Sequence, residues 1–246
     1  MRIALALYYG PLPVPAAIHR AEEILDRARG TRAVESTFIV SLAGLQAMSG
    51  RFDEARELFA RGRAIVEELG LKVWLAGFSL VASDIEMLAG DPGTAEAHLR
   101  TGYEALQGMG DRGLLSTVAA ALAKAIYAQG RYEEAERFTE ISEELAGRGD
   151  IASQIGWRAT RGKVLAHRHD FDQAESLARE AVAIAETTDD LAQRGRALRD
   201  LAEVLELANR NEEAAKLVET ALDLFEHKGN VVVANETREL LARLRV

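Results

Sequence analysis

The stretch Gly130-Arg131-Tyr132-Glu133-Glu134-Ala135 is a short, turn-like segment that recurs along the chain with small changes. The related segments are Gly50-Arg51-Phe52-Asp53-Glu54-Ala55, Gly90-Asp91-Pro92-Gly93-Thr94-Ala95, Asp170-Phe171-Asp172-Gln173-Ala174 and Asn209-Arg210-Asn211-Glu212-Glu213-Ala214. Their final alanines, at positions 55, 95, 135, 174 and 214, are spaced by 40, 40, 39 and 40 residues. A fixed period of this size indicates an array of structural repeats.

A second set of breaks has the same period and lies between these turns. It consists of Gly70, Gly110, Gly149-Asp150, Asp189-Asp190 and Gly229-Asn230. Glycine or asparagine readily takes the left-handed conformation that closes a helix, and acidic residues favour the first turn of the helix that follows. Two breaks per repeat therefore predict two helices per repeat.

The segments between the breaks have the apolar spacing of amphipathic helices. In the segment after Glu54, the apolar residues Leu58, Phe59, Ile65, Val66 and Leu69 follow the three-and-four spacing of one helix face, in which positions seven apart also align. The chain of 246 residues is 48% hydrophobic, with four prolines and 6% aromatic residues. A composition dominated by strong helix formers favours helices over strands. The sequence therefore predicts an all-α fold.

Small residues mark a place where the two helices of each pair meet. The repeated alanine lies one turn into the second helix, and a small residue stands twelve positions before it, at Ala43, Ser83, Ala123, Gly162 and Ala202. Together with the aromatic residues Phe52, Tyr132 and Phe171 in the turns, these positions resemble the tetratricopeptide repeat. The resemblance implies a right-handed α-solenoid of antiparallel helix pairs that acts as a binding scaffold.

The period is longer than the usual tetratricopeptide period of about 34 residues, so its helices should be longer. This length, and phrases such as Leu5-Ala6-Leu7-Tyr8-Tyr9-Gly10-Pro11 and Leu201-Ala202-Glu203-Val204-Leu205, are similar to the MalT-like C-terminal helical region of large bacterial regulators. The resemblance implies upstream domains in a parent chain, such as an ATPase module, a nucleotide cyclase domain or a DNA-binding domain.

The repeat arithmetic predicts one domain over residues 1–246. The expected units are a half-repeat at 1–30, repeats at about 31–70, 71–110, 111–149, 150–189 and 190–229, and a capping helix at 230–246. The half-repeat should end in a helix from about Ala16 to Arg29, and its first segment should leave Ile3, Leu5, Leu7 and Tyr8 without a natural neighbour. Exposed apolar area promotes self-contact, so we expect a weak homodimer and a segment cut from something longer.

Charge, composition and motifs exclude several classes of function. The net charge is −9 and acidic residues are spread along the chain, which argues against direct binding of nucleic acid. No apolar stretch approaches the roughly 20 residues of a membrane span, and neither a signal peptide nor a cysteine is present. These features predict a cytoplasmic protein that does not enter a membrane.

The candidate chemical motifs have simpler structural interpretations. The glycine pattern from Gly108 to Gly113 falls on a helix break instead of after a strand, where a dinucleotide-binding loop would need it. His167 and His169 do not share a helix face, and no third metal ligand accompanies them. We therefore predict no catalytic, cofactor-binding or metal-binding residues, and a protein that is not an enzyme. An enzyme with an unfamiliar site is the least favoured alternative.

A candidate binding groove follows from the resemblance. In tetratricopeptide proteins the first helices line a concave groove, and the position eleven residues before the repeated alanine looks inward. The predicted groove residues, from this position and its neighbours, are Asp84, Met87, Lys124, Tyr127, Lys163, Arg196, Arg199 and Glu203. Lys124 and Lys163, on adjacent repeats, are predicted to converge on one carboxylate or phosphate. The alternative is a ladder in which Asp84 pairs with Lys124 and Glu203 pairs with Lys163.

The predicted function is a protein-interaction or signal-sensing scaffold with a protein or peptide partner. The alternative is a small-molecule or peptide sensor that controls an attached ATPase or cyclase.

Overall fold

The computed structural model describes residues 2–28 and 30–245, and that part of the chain folds into helices without any strand. The helices are α1 (Arg2–Tyr9), α2 (Val14–Arg27), α3 (Arg32–Met48), α4 (Phe52–Glu68), α5 (Lys72–Leu88), α6 (Pro92–Met109), α7 (Arg112–Tyr127), α8 (Tyr132–Leu145), α9 (Ile151–His167), α10 (Phe171–Ala185), α11 (Leu191–Leu207), α12 (Asn211–Lys228) and α13 (Val231–Leu244).

The helices form a right-handed α-solenoid of antiparallel pairs, as the sequence predicted. Each odd-numbered helix from α3 to α11 packs against the even-numbered helix that follows it, and the odd-numbered helices from α1 to α11 also contact their odd-numbered neighbours. We call the odd-numbered helices the inner helices. Because α1 to α11 pack side by side and side chains of α13 contact those of α11, the inner helices face one common interior.

The helix ends use the residues that the sequence pattern singled out. Gly110 closes α6 in the left-handed conformation with a φ of 71°. The side chain of Asp111 then accepts a hydrogen bond from the backbone N–H of Leu114 and begins α7. His169 and Asn209 take the same left-handed conformation in later repeats, with φ values of 63° and 60°. The turns therefore keep their geometry even where glycine is replaced.

The repeated small residues lie at the contacts within the helix pairs. All five repeated alanines, Ala55, Ala95, Ala135, Ala174 and Ala214, have no exposed surface. The small residues twelve positions earlier are buried as well. At Gly162 the helices are so close that an added Cβ would lie 2.9 Å from the carbonyl oxygen of Ala174. Helix spacing within each pair is therefore set by side-chain size at these positions.

We expect the substitution Ala135→Leu to destabilise the array by about 1 to 3 kcal/mol, because it forces extra volume into a closed contact between α7 and α8. The urea midpoint of unfolding measures the effect. Glu140→Leu, on the exposed side of α8, is the matched control and should leave the midpoint nearly unchanged. Equal midpoints for the two variants would show that Ala135 does not set the spacing.

The two ends of the array touch, which the sequence analysis did not anticipate. Helix α13 contacts α3, and α1 contacts α11. The ammonium group of Lys228, at the end of α12, donates hydrogen bonds to the carbonyl oxygens of Gly10 at 2.6 Å and Leu12 at 3.1 Å. Lys228 has no exposed surface. We call this contact between the N-terminal and C-terminal helices the seam.

The first helices differ from the predicted boundaries by a few residues. Helix α2 begins at Val14 rather than Ala16, with a proline in its first turn, where the missing N–H is not needed. Its predicted end at Arg29 lies outside the described residues. Of the apolar residues expected to lack a neighbour, Ile3 and Leu5 are 61% and 42% exposed. The other two, Leu7 and Tyr8, are buried.

Candidate binding cavity

The inner helices surround a cavity of about 530 Å³, which we call the central cavity. Its lining residues are Tyr8, Met48, Asp84, Met87, Leu88, Lys124, Lys163, Arg196, Arg199, Asp200, Glu203, Glu206, Val233, Glu236, Glu239, Leu240 and Arg243. They come from all seven inner helices. The interior is therefore rich in charge, with acidic and basic groups on facing helices.

Seven of the eight predicted groove residues line this cavity, and the exception is Tyr127. The ring of Tyr127 lies beneath Lys163, with 4.2 Å between the lysine nitrogen and the ring centroid. Its hydroxyl donates a hydrogen bond to Glu203 and is 3.0 Å from Nε2 of His167. Tyr127 therefore supports the wall of the cavity from behind.

Lys163 is fully engaged by acidic residues of α11. Its ammonium nitrogen lies 2.8 Å from Asp200 and 3.4 Å from Glu203. Burial lowers the pKa of Lys163, but the two carboxylates outweigh burial and raise that pKa above its usual range. The contact with Glu203 is one of the two pairs in the ladder alternative. Because both neighbours are anionic, Lys163 has little charge left for a ligand.

Two tyrosine–carboxylate hydrogen bonds cross the interior with the same sequence separation. The hydroxyl of Tyr8 donates to Asp84 at 2.9 Å, and the hydroxyl of Tyr127 donates to Glu203, each across 76 residues. Both acceptors stand eleven positions before a repeated alanine. Burial and the charge of Asp84 raise the pKa of Tyr8, which keeps its donor proton in place. These bonds join helices that are two repeats apart and keep the superhelix tight.

Lys124 differs from Lys163, although the two occupy equivalent positions. Among the described residues, neither Lys124 nor Arg196 has a hydrogen bond or a carboxylate oxygen within 4.0 Å. The second pair of the ladder alternative, between Asp84 and Lys124, is therefore not formed at ion-pair distance. Burial and the charge of Arg196 lower the pKa of Lys124 to about 8, against the opposing effect of Asp84.

The sequence predicted Glu203 as a lining residue, but not the other acidic residues of the lining on α11 and α13. Arg199 lies 3.3 Å from Glu236, and Arg243 lies 3.3 Å from Glu206. Glu239 lies beside them in the lining. On α11, the helical spacing of three and four residues from Arg196 through Arg199, Glu203 and Glu206 marks one face, and that spacing could have revealed the acidic half. No comparable spacing marked α13, because its position beside the cavity depends on the contacts at the seam.

The described residues contain no group of histidine and acidic side chains arranged to hold a metal ion. None of the described helices combines the length and the apolar character that crossing a membrane requires.

Comparison with sequence families gives three matches, each described as tetratricopeptide repeat. They cover residues 36–60, 117–140 and 156–227. The chain contains tetratricopeptide repeats. The matched segments lie in α3–α4, α7–α8 and α9–α12, where the closely packed alanines and turn aromatics also lie. No curated protein sequence matches the chain.

Solved structures with the same fold include three informative ones. NprR in complex with its cognate peptide NprX aligns with a TM-score of 0.69 and 16% identity, over 93% of this chain and 67% of that one. BtubC (BKLC) from P. vanneervenii aligns with a TM-score of 0.60 and 18% identity, over 86% of this chain and 87% of that one. At these identities the likeness concerns the fold alone.

A signal transduction ATPase with numerous domains from Pyrococcus horikoshii, described as having a tetratricopeptide repeat sensor, aligns with a TM-score of 0.58 and 18% identity. The alignment covers 91% of this chain and 33% of the ATPase. This chain therefore spans about a third of the length of that protein.

Proposed function

We propose that this chain is a non-catalytic binding module whose central cavity receives a short peptide segment of a partner protein. The observation that carries the proposal is the charged cavity of about 530 Å³, in which Lys124 and Arg196 have no direct partner among the described residues. The tetratricopeptide repeats support the proposal because such repeats are scaffolds for recognition, and NprR, which has the same fold, is described as binding a peptide.

A display library of random short peptides tests this proposal. Met87→Trp fills the cavity, whereas Met109→Trp places the same side chain on the partly exposed end of α6, outside the central cavity. We expect the unaltered chain and the Met109→Trp variant to select the same peptides, and the Met87→Trp variant to lose them. Circular dichroism confirms that both variants fold. Peptide binding that survives Met87→Trp would place the binding surface elsewhere.

A second candidate function is a small-molecule sensor that controls an attached ATPase or cyclase. The seam favours it, because contact between the two ends brings α1 and α13 into the cavity wall, and the cavity falls within the roughly 300 to 1,000 Å³ typical of small-ligand sites. Thermal unfolding in the presence of a metabolite panel discriminates the two. A stabilising metabolite supports the sensor, and stabilisation by selected peptides alone supports the first candidate.

The wider setting is part of the same proposal. We place the module in the cytoplasm, within a larger bacterial regulator of the MalT-like kind, whose upstream domains would be its partners in the parent chain. Weak self-association through Ile3 and Leu5 remains a prediction, since these two apolar side chains are exposed on α1.

A further inference from the structure

We infer that Lys124 and Arg196 form an anion-binding subsite that holds one carboxylate or phosphate group of the molecule in the central cavity. The inference rests on the proposed function only for the identity of the whole ligand. The subsite itself depends only on the charges and the empty space around these two side chains.

The other basic groups of the cavity are already neutralised. Lys163 contacts Asp200 and Glu203, Arg199 contacts Glu236, and Arg243 contacts Glu206. Within residues 2–28 and 30–245, this leaves two basic side chains in the lining without an acidic oxygen at contact distance. Lys124 and Arg196 are half-buried in the cavity lining. Charges withdrawn from water are normally paired, so two cations there without an ion pair indicate a place for a counter-ion.

Asp84 compensates only part of this charge. It raises the pKa values of both Lys124 and Arg196, so it lies near enough to attract them, but it stays more than 4.0 Å from either. Its carboxylate is held by the hydroxyl of Tyr8 at 2.9 Å. Asp200 also raises the pKa of Lys124, and Asp190 raises that of Arg196. These carboxylates attract the two cations without contacting them, so the contact positions on both cations stay open to an anion.

There is empty space beside the two cations. Lys124 on α7 and Arg196 on α11 both line a smaller recess of about 150 Å³ between α5, α7, α9 and α11. The wall of this recess consists largely of small side chains, including Ala120, Gly156 and Ala197, and its lining also contains the acidic residues Asp84 and Asp200. An anion in this position would receive the forked guanidinium donors from one helix and the ammonium group from another, a combination suited to carboxylate and phosphate oxygens.

The protonation of Lys124 is poised to respond to such an anion. Burial, Arg196 and Lys163 lower the pKa of Lys124, whereas Asp84 and Asp200 raise it, and the balance is a pKa of about 8. A bound anion adds attraction for the ammonium form and must raise this pKa. By the same linkage, affinity for the anion should weaken as Lys124 loses its proton above pH 8.

Carbon-13 NMR of the lysine side chains tests the subsite directly, because the chain has only five lysines. The probes are inorganic phosphate and acetate, compared with chloride at equal ionic strength. We expect either probe to raise the titration midpoint of Lys124 by about one pH unit. Lys228 is an internal control, since its pKa is also lowered to about 8 but its nitrogen is bonded to backbone carbonyls at the seam. An unchanged Lys124 midpoint, or an equal change at Lys228, overturns the inference.

Substitutions provide a second test. Arg196→Gln and Lys124→Met should each weaken phosphate binding at least about tenfold. Arg199→Gln lies one turn along the same helix in the same cavity, and it should change binding less than about twofold because Arg199 is committed to Glu236. A similar loss in all three variants would indicate a diffuse electrostatic effect and overturn the subsite. The NMR titration of the unaltered chain stands even if a variant fails to fold.

Peptides selected by display separate this inference from the proposed function. Loss of peptide binding in Lys124→Met and Arg196→Gln supports the subsite, and loss on amidation of the peptide C-terminus identifies the terminal carboxylate as the bound group. Retention after amidation, with the two variants still defective, identifies an acidic side chain instead. If the peptides bind both variants as tightly as the unaltered chain, the subsite is contradicted and the proposed function is retained. A phosphate-dependent change at Lys124 without any peptide binding keeps the subsite and removes peptide recognition.

Discussion

Between pH 8 and pH 10, the free energy of unfolding is expected to rise by a few kcal/mol, and Lys228→Met is expected to remove roughly half of that rise. Lys228 is fully buried at the seam, and burial lowers its pKa from 10.5 to about 8, against the attraction of Asp190 and with the repulsion of Arg196. Lys124 has a similarly lowered pKa and accounts for the remainder.

The direction of the effect follows from proton binding in the two states. Below pH 8 the folded and unfolded chains both carry the Lys228 proton, so this residue adds no pH dependence. Between pH 8 and 10.5 the unfolded chain keeps a proton that the folded chain has released, so stability rises with pH. One pKa unit corresponds to about 1.4 kcal/mol, which gives roughly 2 kcal/mol for Lys228 up to pH 10.

Above pH 10, other groups oppose this rise in stability. The raised pKa of Tyr8 means that the folded chain keeps the phenol proton above pH 10 while the unfolded chain loses it, so this contribution falls with pH there. Urea unfolding at several pH values, for the unaltered chain and for Lys228→Met, measures the slopes. Lys216→Met, which replaces an exposed lysine of α12, is the control. Identical slopes in all three proteins would contradict the burial of a charged amine at the seam.

Gly162→Leu should strongly destabilise the α9–α10 pair, with a loss of about 3 kcal/mol. A Cβ at this position would lie 2.9 Å from the carbonyl oxygen of Ala174 and 3.4 Å from the backbone nitrogen of Ala178. These are backbone atoms of α10 beside two buried alanines, so no flexible side chain can move aside. Helices α9 and α10 would have to separate.

Gly108→Leu provides the comparison for this prediction. Gly108 lies in α6, is exposed, and has no atom within 4 Å of an added Cβ. Replacing this glycine by a strong helix former should stabilise the chain by up to about 1 kcal/mol. The two leucine variants should therefore move the urea midpoint in opposite directions. Midpoints that change alike would show that α9 and α10 are not in close backbone contact.

The sequence predicted the fold well because the fold depends on local information. The alanine that ends each recurring turn is buried for a reason visible within one repeat, namely that a small residue faces it twelve positions earlier, as with Ala123 and Ala135. Helix ends were equally predictable where a glycine or an aspartate supplies the cap, as at Gly110 and Asp111.

The charge pattern of the cavity was less predictable because it depends on neighbours from distant repeats. Lys124 and Lys163 have the same repeat position, yet Asp200 and Glu203 of α11 reach only Lys163. The curvature of the superhelix decides which inner helices face each other across the cavity. The sequence of a single repeat does not determine that curvature. The same reason explains why the sequence did not predict the hydrogen bond from Tyr127 to Glu203 behind the lining.

The seam also alters how local opening can begin. In a linear array each unit is held only by its neighbours, so opening starts at a terminal unit that has one neighbour instead of two. Here the loop after α1 receives hydrogen bonds from Lys228, and α13 rests on α3, so both terminal units gain a second partner from the opposite end. Fraying from either side must first break contacts with the other. The array therefore resembles a closed circle of coupled units, in which cooperative opening replaces progressive loss from the ends.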